Sequence, residues 1–245
     1  MNARLQTTEP AAFELSAEQT LGHIAVALPG ATAVFRRLKL DFCCGGQVSL
    51  QLAASAKGLD VPALLAELGA LQRPTEVAQP SDAVALIDHI LERYHAVHRQ
   101  QLPELIRMAR RVEAVHRDHP LVPAGLAELL EAIEQDLLSH MHKEEAILFP
   151  LLKAGGNPFV GQPINMMRVE HIHHGAMLDR LAELSHNATP PNGACNTWRA
   201  LYAGIAQLHD DLINHIHTEN NILFAQFEAA PVAARHAPCC GSCGG

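Results

Sequence analysis

Two stretches of this chain carry the same histidines, glutamate and aromatic in the same order, and that repeat limits the fold more than any other feature. His140-Met141-His142-Lys143-Glu144-Glu145-Ala146-Ile147-Leu148-Phe149 lies over His215-Ile216-His217-Thr218-Glu219-Asn220-Asn221-Ile222-Leu223-Phe224, matching His, His, Glu, Ile, Leu and Phe at a constant offset of 75. The agreement continues upstream. Leu126, Leu130, Ile133, Leu137, His140, Glu144, Ile147 and Leu151 step by four and three, and so do Leu201, Ile205, Leu208, Leu212, His215, Glu219, Ile222 and Gln226. A heptad-like seam of this kind is what the helices of a bundle bury. In each seam a histidine and a glutamate stand in the middle of the apolar stripe.

The rest of the chain fits an all-α reading. It is rich in Ala and Leu, with 48% hydrophobic and only 4% aromatic residues, and lacks β-branched runs bounded by turns. A helical region over about 16–71 forms a small N-terminal helical domain, residues 1–72. The linker 73–80, with Pro74 and Pro80 and no periodicity, separates it from a larger domain at 81–229. That domain offers four helices, at about 82–117, 123–153, 163–187 and 197–228. They are parted by His119-Pro120 with Pro123, by Gly155-Gly156-Asn157-Pro158, and by Thr189-Pro190-Pro191-Asn192-Gly193. An up-down-up-down four-helix bundle is the expected architecture. Residues 230–245 form a Cys/Gly-rich tail without periodicity.

A carboxylate on a leucine seam loses several kcal/mol of solvation unless a cation compensates it. His at i and Glu at i+4 share a helix face, about 5–6 Å apart at Cβ, so each pair can offer an imidazole nitrogen and a carboxylate to one metal centre. Further candidates lie on two other stripes: Leu91, His95, His98, Leu102 and Leu105 on the first bundle helix, and Met167, His171, His174, Leu178 and Leu181 on the third. Axial height selects among them, since His95 and His140 stand roughly 20 Å and 18 Å from the same end of the bundle at about 1.5 Å per residue. His171 and the His215–Glu219 pair fall near that layer. His116, 21 residues beyond His95, stays outside it unless the helix breaks near Pro103. His98, His116, His174, His142 and His217 read as supporting or solvent-facing residues. Four histidines with two bridging glutamates suit a pair of transition metals, and iron is the expected one.

Net charge is −8 with His neutral, and no Lys/Arg cluster tracks phosphates, so neither nucleic acid nor a membrane is the expected partner. No apolar run reaches eighteen residues and Met1 to Pro10 has no signal-like pattern, so the expected location is cytoplasmic. Three of six cysteines, Cys239, Cys240 and Cys243, fall in the last seven residues, and Cys43 adjoins Cys44. In a reducing compartment that distribution reads as thiol or metal chemistry rather than as a disulfide framework. Cys195 reads as a loop residue.

Leu40-Asp41-Phe42-Cys43-Cys44-Gly45-Gly46, Arg93-Tyr94-His95, His140 through Pro150, Glu170-His171 and His215 through Phe224 together resemble the repair-of-iron-centres proteins. The resemblance runs to about residue 229. It implies a hemerythrin-like di-iron bundle with a small helical cysteine domain, needed for restoring iron-sulfur clusters after nitrosative or oxidative damage. Carried over by position, it implies iron ligands at His95, His140, Glu144, His171, His215 and Glu219, both glutamates bridging, and the family's cysteine pair at Cys43 and Cys44. The tail cysteines and His174 depart from that pattern; His174 would make the pocket more like an oxygen carrier's.

The Cys43–Cys44 pair is a candidate thiol site on its own evidence: a vicinal disulfide, a transient iron or cluster ligand, or a nitrosylation target, set against two small buried hydrophobes. Its thiolate character would rise if Gly45 and Gly46 opened a helix. The expected function is repair of iron-sulfur clusters, by supplying iron, by binding and reducing nitric oxide, or both. Damaged iron-sulfur proteins or their assembly machinery and an electron donor are the expected partners, with nitric oxide or dioxygen as ligand; no catalytic residue is singled out. A rival is a non-catalytic oxygen carrier or redox sensor of hemerythrin type. A ferritin-like oxidase would need Glu-x-x-His on two helices, and of His95, His140, His171 and His215 only His95 has a glutamate three residues before it, Glu92.

Overall fold

The structure is a computed structural model that describes residues 15–28, 30–71 and 82–228. The expected linker at 73–80 and the tail at 230–245 lie outside the described residues. Among the described residues four short helices come first, α1 at Leu21–Ala27, α2 at Ala31–Arg37, α3 at Leu50–Ala56 and α4 at Val61–Ala70. Side-chain oxygens of Thr20, Ser49 and Asp60 accept backbone N–H groups of His23, Leu52 and Ala63 and so fix the starts of α1, α3 and α4. Leu21, Ile24, Phe35, Phe42, Leu50 and Leu68 close a core of their own beneath these helices.

Four long helices follow. In α5, residues 83–115, Ala83–Ile90 and Ala96–Val115 flank a π turn at Leu91–His95. Residues 126–153 make α6, with its π turn at Glu144–Leu148, and Gly161–Leu184 is α7. Finally α8, residues 196–227, has a π turn at Thr218–Leu223 and ends in a 3₁₀ turn, Phe224–Phe227. Helix α5 packs on α6 and α8, and α7 on α6 and α8, giving the cyclic order of the expected bundle. Two apolar layers fill it. Leu102, Leu137, Leu178, Leu208 and their neighbours form one, and Leu86, Ile90, Leu148, Phe149, Ile164 and Leu223 the other. Buried histidines and glutamates lie between the two.

The π turns correct the seam read from the sequence. Ile147 is 61% exposed while Leu148 and Leu152 are 1% exposed, and in α8 Leu223 is buried whereas Gln226 faces out. Each π turn inserts one residue into the helix, so the inward face moves from 147 and 151 to 148 and 152, and from 222 and 226 to 223 and 227. Pro103 does not break α5, which continues through it. His116 therefore stays far from His95, at the end of α5 beside Trp198 and Cys195. Nor do Gly45 and Gly46 open a helix, because α3 starts only at Leu50.

Candidate metal centre

His95, His140, Glu144, His171, His215 and Glu219 converge in the layer between the two apolar cores, all at most 1% exposed. Two groups of mutually close ligand atoms result: His95, Glu144, His215 and Glu219, and His140, Glu144, His171 and Glu219. Both glutamates belong to both groups. Glu144 turns Oε2 to His95 Nε2 and Oε1 to His140 Nε2, each at 3.4 Å. Glu219 turns Oε1 to His215 and Oε2 to His171, each at 3.0 Å.

All four imidazoles aim Nε2 inward. The pairs His95–His215 and His140–His171 bring these nitrogens to 3.2 and 3.1 Å. Two imidazole nitrogens at right angles on an ion about 2.1 Å away would stand about 3.0 Å apart, so the pairs have the spacing of neighbouring ligands on one metal. Three of the opposite nitrogens are tied down. Nδ1 of His95 meets Glu145 at 2.7 Å, Nδ1 of His140 meets Glu170 at 2.8 Å, and Nδ1 of His171 meets Asn220 Oδ1 at 2.9 Å. An acceptor at Nδ1 places the proton there and leaves Nε2 as a lone pair for a cation. Neither oxygen of Glu144 accepts a hydrogen bond, nor does Glu219 Oε2. Buried lone pairs crowded together without donors fit a site built for metal.

The electrostatics agree. Burial acts to raise the Glu144 and Glu219 carboxyls, but the facing histidines outweigh it, so Glu144 lies below and Glu219 well below the usual range. Burial acts to lower His140, yet the Glu144 and Glu219 charges hold it up at about 9. His215, fully enclosed, is lowered by burial. Protons on histidine therefore stand in where a cation would neutralise the carboxylates.

The 75-residue repeat specifies more than ligands. Glu145 on α6 and Asn220 on α8 occupy equivalent places, and each accepts Nδ1–H from the histidine of the preceding helix. Phe149 and Phe224 are equivalent too, stacking on His95 at 5.6 Å and His171 at 6.2 Å. The sequence assigns no role to Glu145, Glu170, Asn220 or the two phenylalanines, although the alignment that pairs Glu144 with Glu219 also pairs Glu145 with Asn220 and Phe149 with Phe224. The symmetry fails at one point. Where α7 places Glu170 against His140, α5 places Tyr94 flat on His215 at 5.1 Å, leaving His215 Nδ1 without a partner.

His98 and His174 are buried one turn along from His95 and His171, and neither makes a hydrogen bond. Nε2 of His174 lies 3.0 Å from Asp136 Oδ2, off the line a hydrogen bond needs. Burial holds both imidazoles at about 2, hence neutral. They border the six ligand candidates without joining either group. His142 faces out, whereas His217 is buried against Phe42.

Cys43 and Cys44 stand apart from this layer but are wired to it. Asn220 Nδ2 donates to the Cys43 carbonyl at 3.0 Å while its Oδ1 accepts from His171. Asn221 Nδ2 donates to the Phe42 carbonyl at 3.1 Å. The loop can approach so closely because residues 22 and 46 are glycine: a Cβ would lie 2.7 or 2.8 Å from Asn221 Oδ1.

Residues 86–227 match the family described as Hemerythrin HHE cation binding domain, and residues 17–72 match a Domain of Unknown function (DUF542). Over 209 residues the chain is 50% identical to the proteins named Iron-sulfur cluster repair protein YtfE of Yersinia pseudotuberculosis serotype O:1b (strain IP 31758) and Yersinia pestis (strain Pestoides F), covering 84% of this chain and 95% of each relative. The chain belongs to the repair-of-iron-centres family. As a member it has a hemerythrin-like helical bundle with a cation-binding layer, and the hemerythrin match implies iron as the cation. Among the described residues of this repair-of-iron-centres protein, no helix is long and apolar enough to cross a membrane.

Proposed function

We propose that the protein binds two iron ions between His95, His140, Glu144, His171, His215 and Glu219 and uses them to help repair iron-sulfur clusters damaged by nitrosative or oxidative stress. The observation that carries this reading is the orientation of the glutamates, each offering its two oxygens to different histidine pairs. The printed names of relatives at 50% identity support the repair role. When bound, a ferrous pair would supply coordination positions for a diatomic molecule and two electrons at one place.

The chain's own residues do the rest. Glu145, Glu170 and Asn220 keep Nδ1 protonated on three histidines and fix the direction of Nε2. Phe149, Phe224 and Tyr94 shield the ligand rings from water. His98 and His174 each hold one N–H beside the layer. Complete burial of the ligands favours chemistry on a small guest, nitric oxide or dioxygen, over release of iron from the closed bundle. For nitric oxide the balanced reaction takes two molecules, two electrons and two protons to nitrous oxide and water, the electrons coming from a redox donor.

The test is anaerobic mixing of the reduced protein with nitric oxide, in parallel with transfer of iron to an apo iron-sulfur protein. Nitrous oxide is the expected product. None after many equivalents would remove the reductive reading and leave iron supply. Reversible oxygenation with neither product nor iron transfer would favour the non-catalytic carrier.

A further inference from the structure

Asp41, Cys43 and Cys44 form a third group of mutually close ligand atoms, in the loop between α2 and α3. Cys43 Sγ lies 3.8 Å from Cys44 Sγ and 3.4 Å from Asp41 Oδ1. A tetrahedral ion with metal–sulfur bonds of about 2.3 Å and a metal–oxygen bond of about 2.0 Å sets two thiolates about 3.8 Å apart and a thiolate and a carboxylate oxygen about 3.5 Å apart. Both measured separations are therefore edges of such a tetrahedron.

Neighbouring residues of an extended chain point to opposite sides, so a local device must bring these thiols together. Asp41 supplies it by accepting the Cys44 N–H at 2.9 Å, which turns the chain back on itself. The two glycines that follow make the turn sterically possible, since a Cβ at Gly45 would lie 3.0 Å from Asp41 Oδ2 and one at Gly46 2.7 Å from the Phe42 carbonyl. The Cys44 hydrogen bond, followed by burial and the charges of Cys44 and Asp41, pushes the Cys43 thiol far up.

We propose that Asp41, Cys43 and Cys44 bind one thiophilic divalent cation as three corners of a tetrahedron, leaving the fourth corner to a donor that enters from the adjoining groove. That groove is a cavity of about 870 Å³ between the N-terminal helices and the α7–α8 face, and all three residues line it. Arg36, Lys39 and Lys57 line it together with Asp179 and Asp210, and Arg36 is paired with Asp210 at 3.3 Å. A site with one position open to an 870 Å³ groove is suited to exchanging its ion with an incoming thiolate or sulfide ligand, whereas a structural zinc site closes all four positions. The assignment goes beyond the bundle centre and does not depend on it.

Cobalt(II) is the probe, added anaerobically under reducing conditions to iron-loaded full-length protein in which Cys239, Cys240 and Cys243 have been changed to Ser. One equivalent is expected to produce sulfur-to-cobalt charge-transfer absorption with tetrahedral visible bands. Cys43→Ser and Cys44→Ser should each roughly halve the charge-transfer intensity and weaken binding by at least about ten-fold. Asp41→Asn keeps an acceptor for the Cys44 N–H and should keep the intensity while weakening binding about ten-fold. Absence of the absorption, its persistence at full strength in Cys43→Ser, or unchanged affinity in Asp41→Asn would each overturn the assignment. Thiolate absorption cannot come from the histidine and glutamate bundle, so a failure of the bundle site would show separately, as missing iron with this signal intact.

Discussion

Glu144→Gln tests the bundle centre most directly, because the amide keeps the shape of the carboxylate and removes only its charge. Glu144 is wholly buried, with one oxygen toward His140 and the other toward His95. Deleting one partner of a buried, compensated charge costs about 3–5 kcal/mol. At about 1.4 kcal/mol per factor of ten, metal affinity should fall by roughly one hundred- to three thousand-fold. The geometry also fixes how the loss is divided. A shared glutamate weakens both ions, whereas His171→Ala removes a nitrogen from only one group and should spare the other. The assay is anaerobic ferrous titration against a competing chelator, with iron measured by mass spectrometry and folding followed by circular dichroism. Parent protein should hold about two irons. Glu144→Gln protein that keeps one iron at parent affinity would refute the sharing of Glu144, and one that keeps both would refute the site.

Two further outcomes are expected of the same molecule. In metal-free protein His140 sits at about 9 when folded, above its unfolded value of about 6.5. Its stabilising contribution is full below about pH 6.5 and is lost as pH rises through about 9, so the melting temperature of the metal-free form should fall across that window. The iron-loaded form should not follow it, and parallel melting curves for the two would count against proton–metal exchange at His140. Gly46→Ala places a Cβ 2.7 Å from the Phe42 carbonyl and 2.8 Å from Asn221 Oδ1. About 1–3 kcal/mol of overpacking is expected, lowering the melting temperature by about 2–4 °C per kcal/mol, and an unchanged melting curve would deny the tight docking of the loop on α8.

The parts of this molecule that were legible in the sequence are those governed by helical period. Leu126 through Glu144 and Leu201 through Glu219 repeat strictly in sevens, and two of the long helices with four of the six converging residues follow from that repeat. Axial counting put His95 and His171 beside the glutamates and kept His116 away, because α5 runs unbroken through Pro103. Period could not show where it lapses. The π turns are invisible to a pattern of fixed step, so the register beyond Glu144 and Glu219 came out one residue early. Spacing also says nothing about partners on other helices, which is why Glu145, Glu170 and Asn220 emerged only with the fold. His98 and His174 share the stripe of their neighbours, and only packing distinguishes burial beside the cluster from a place within it. In the N-terminal region, the association of Asp41 with the cysteines depends on a turn two glycines permit, a matter of close approach rather than of pattern.

The π turn at Glu144–Leu148 has a consequence for how α6 could change. Excising the outward-facing Ile147 would let the helix run as a regular coil, with Leu148 and Leu152 dropping onto the very seam that Leu126 begins. Such a shortened chain would be a smoother helix with an intact leucine spine. It would also rebuild the turn that carries Glu144 and Glu145 and leads into Phe149, the three residues of α6 that meet His95, so the regularity of the helix and the grip on one imidazole are set within the same five residues.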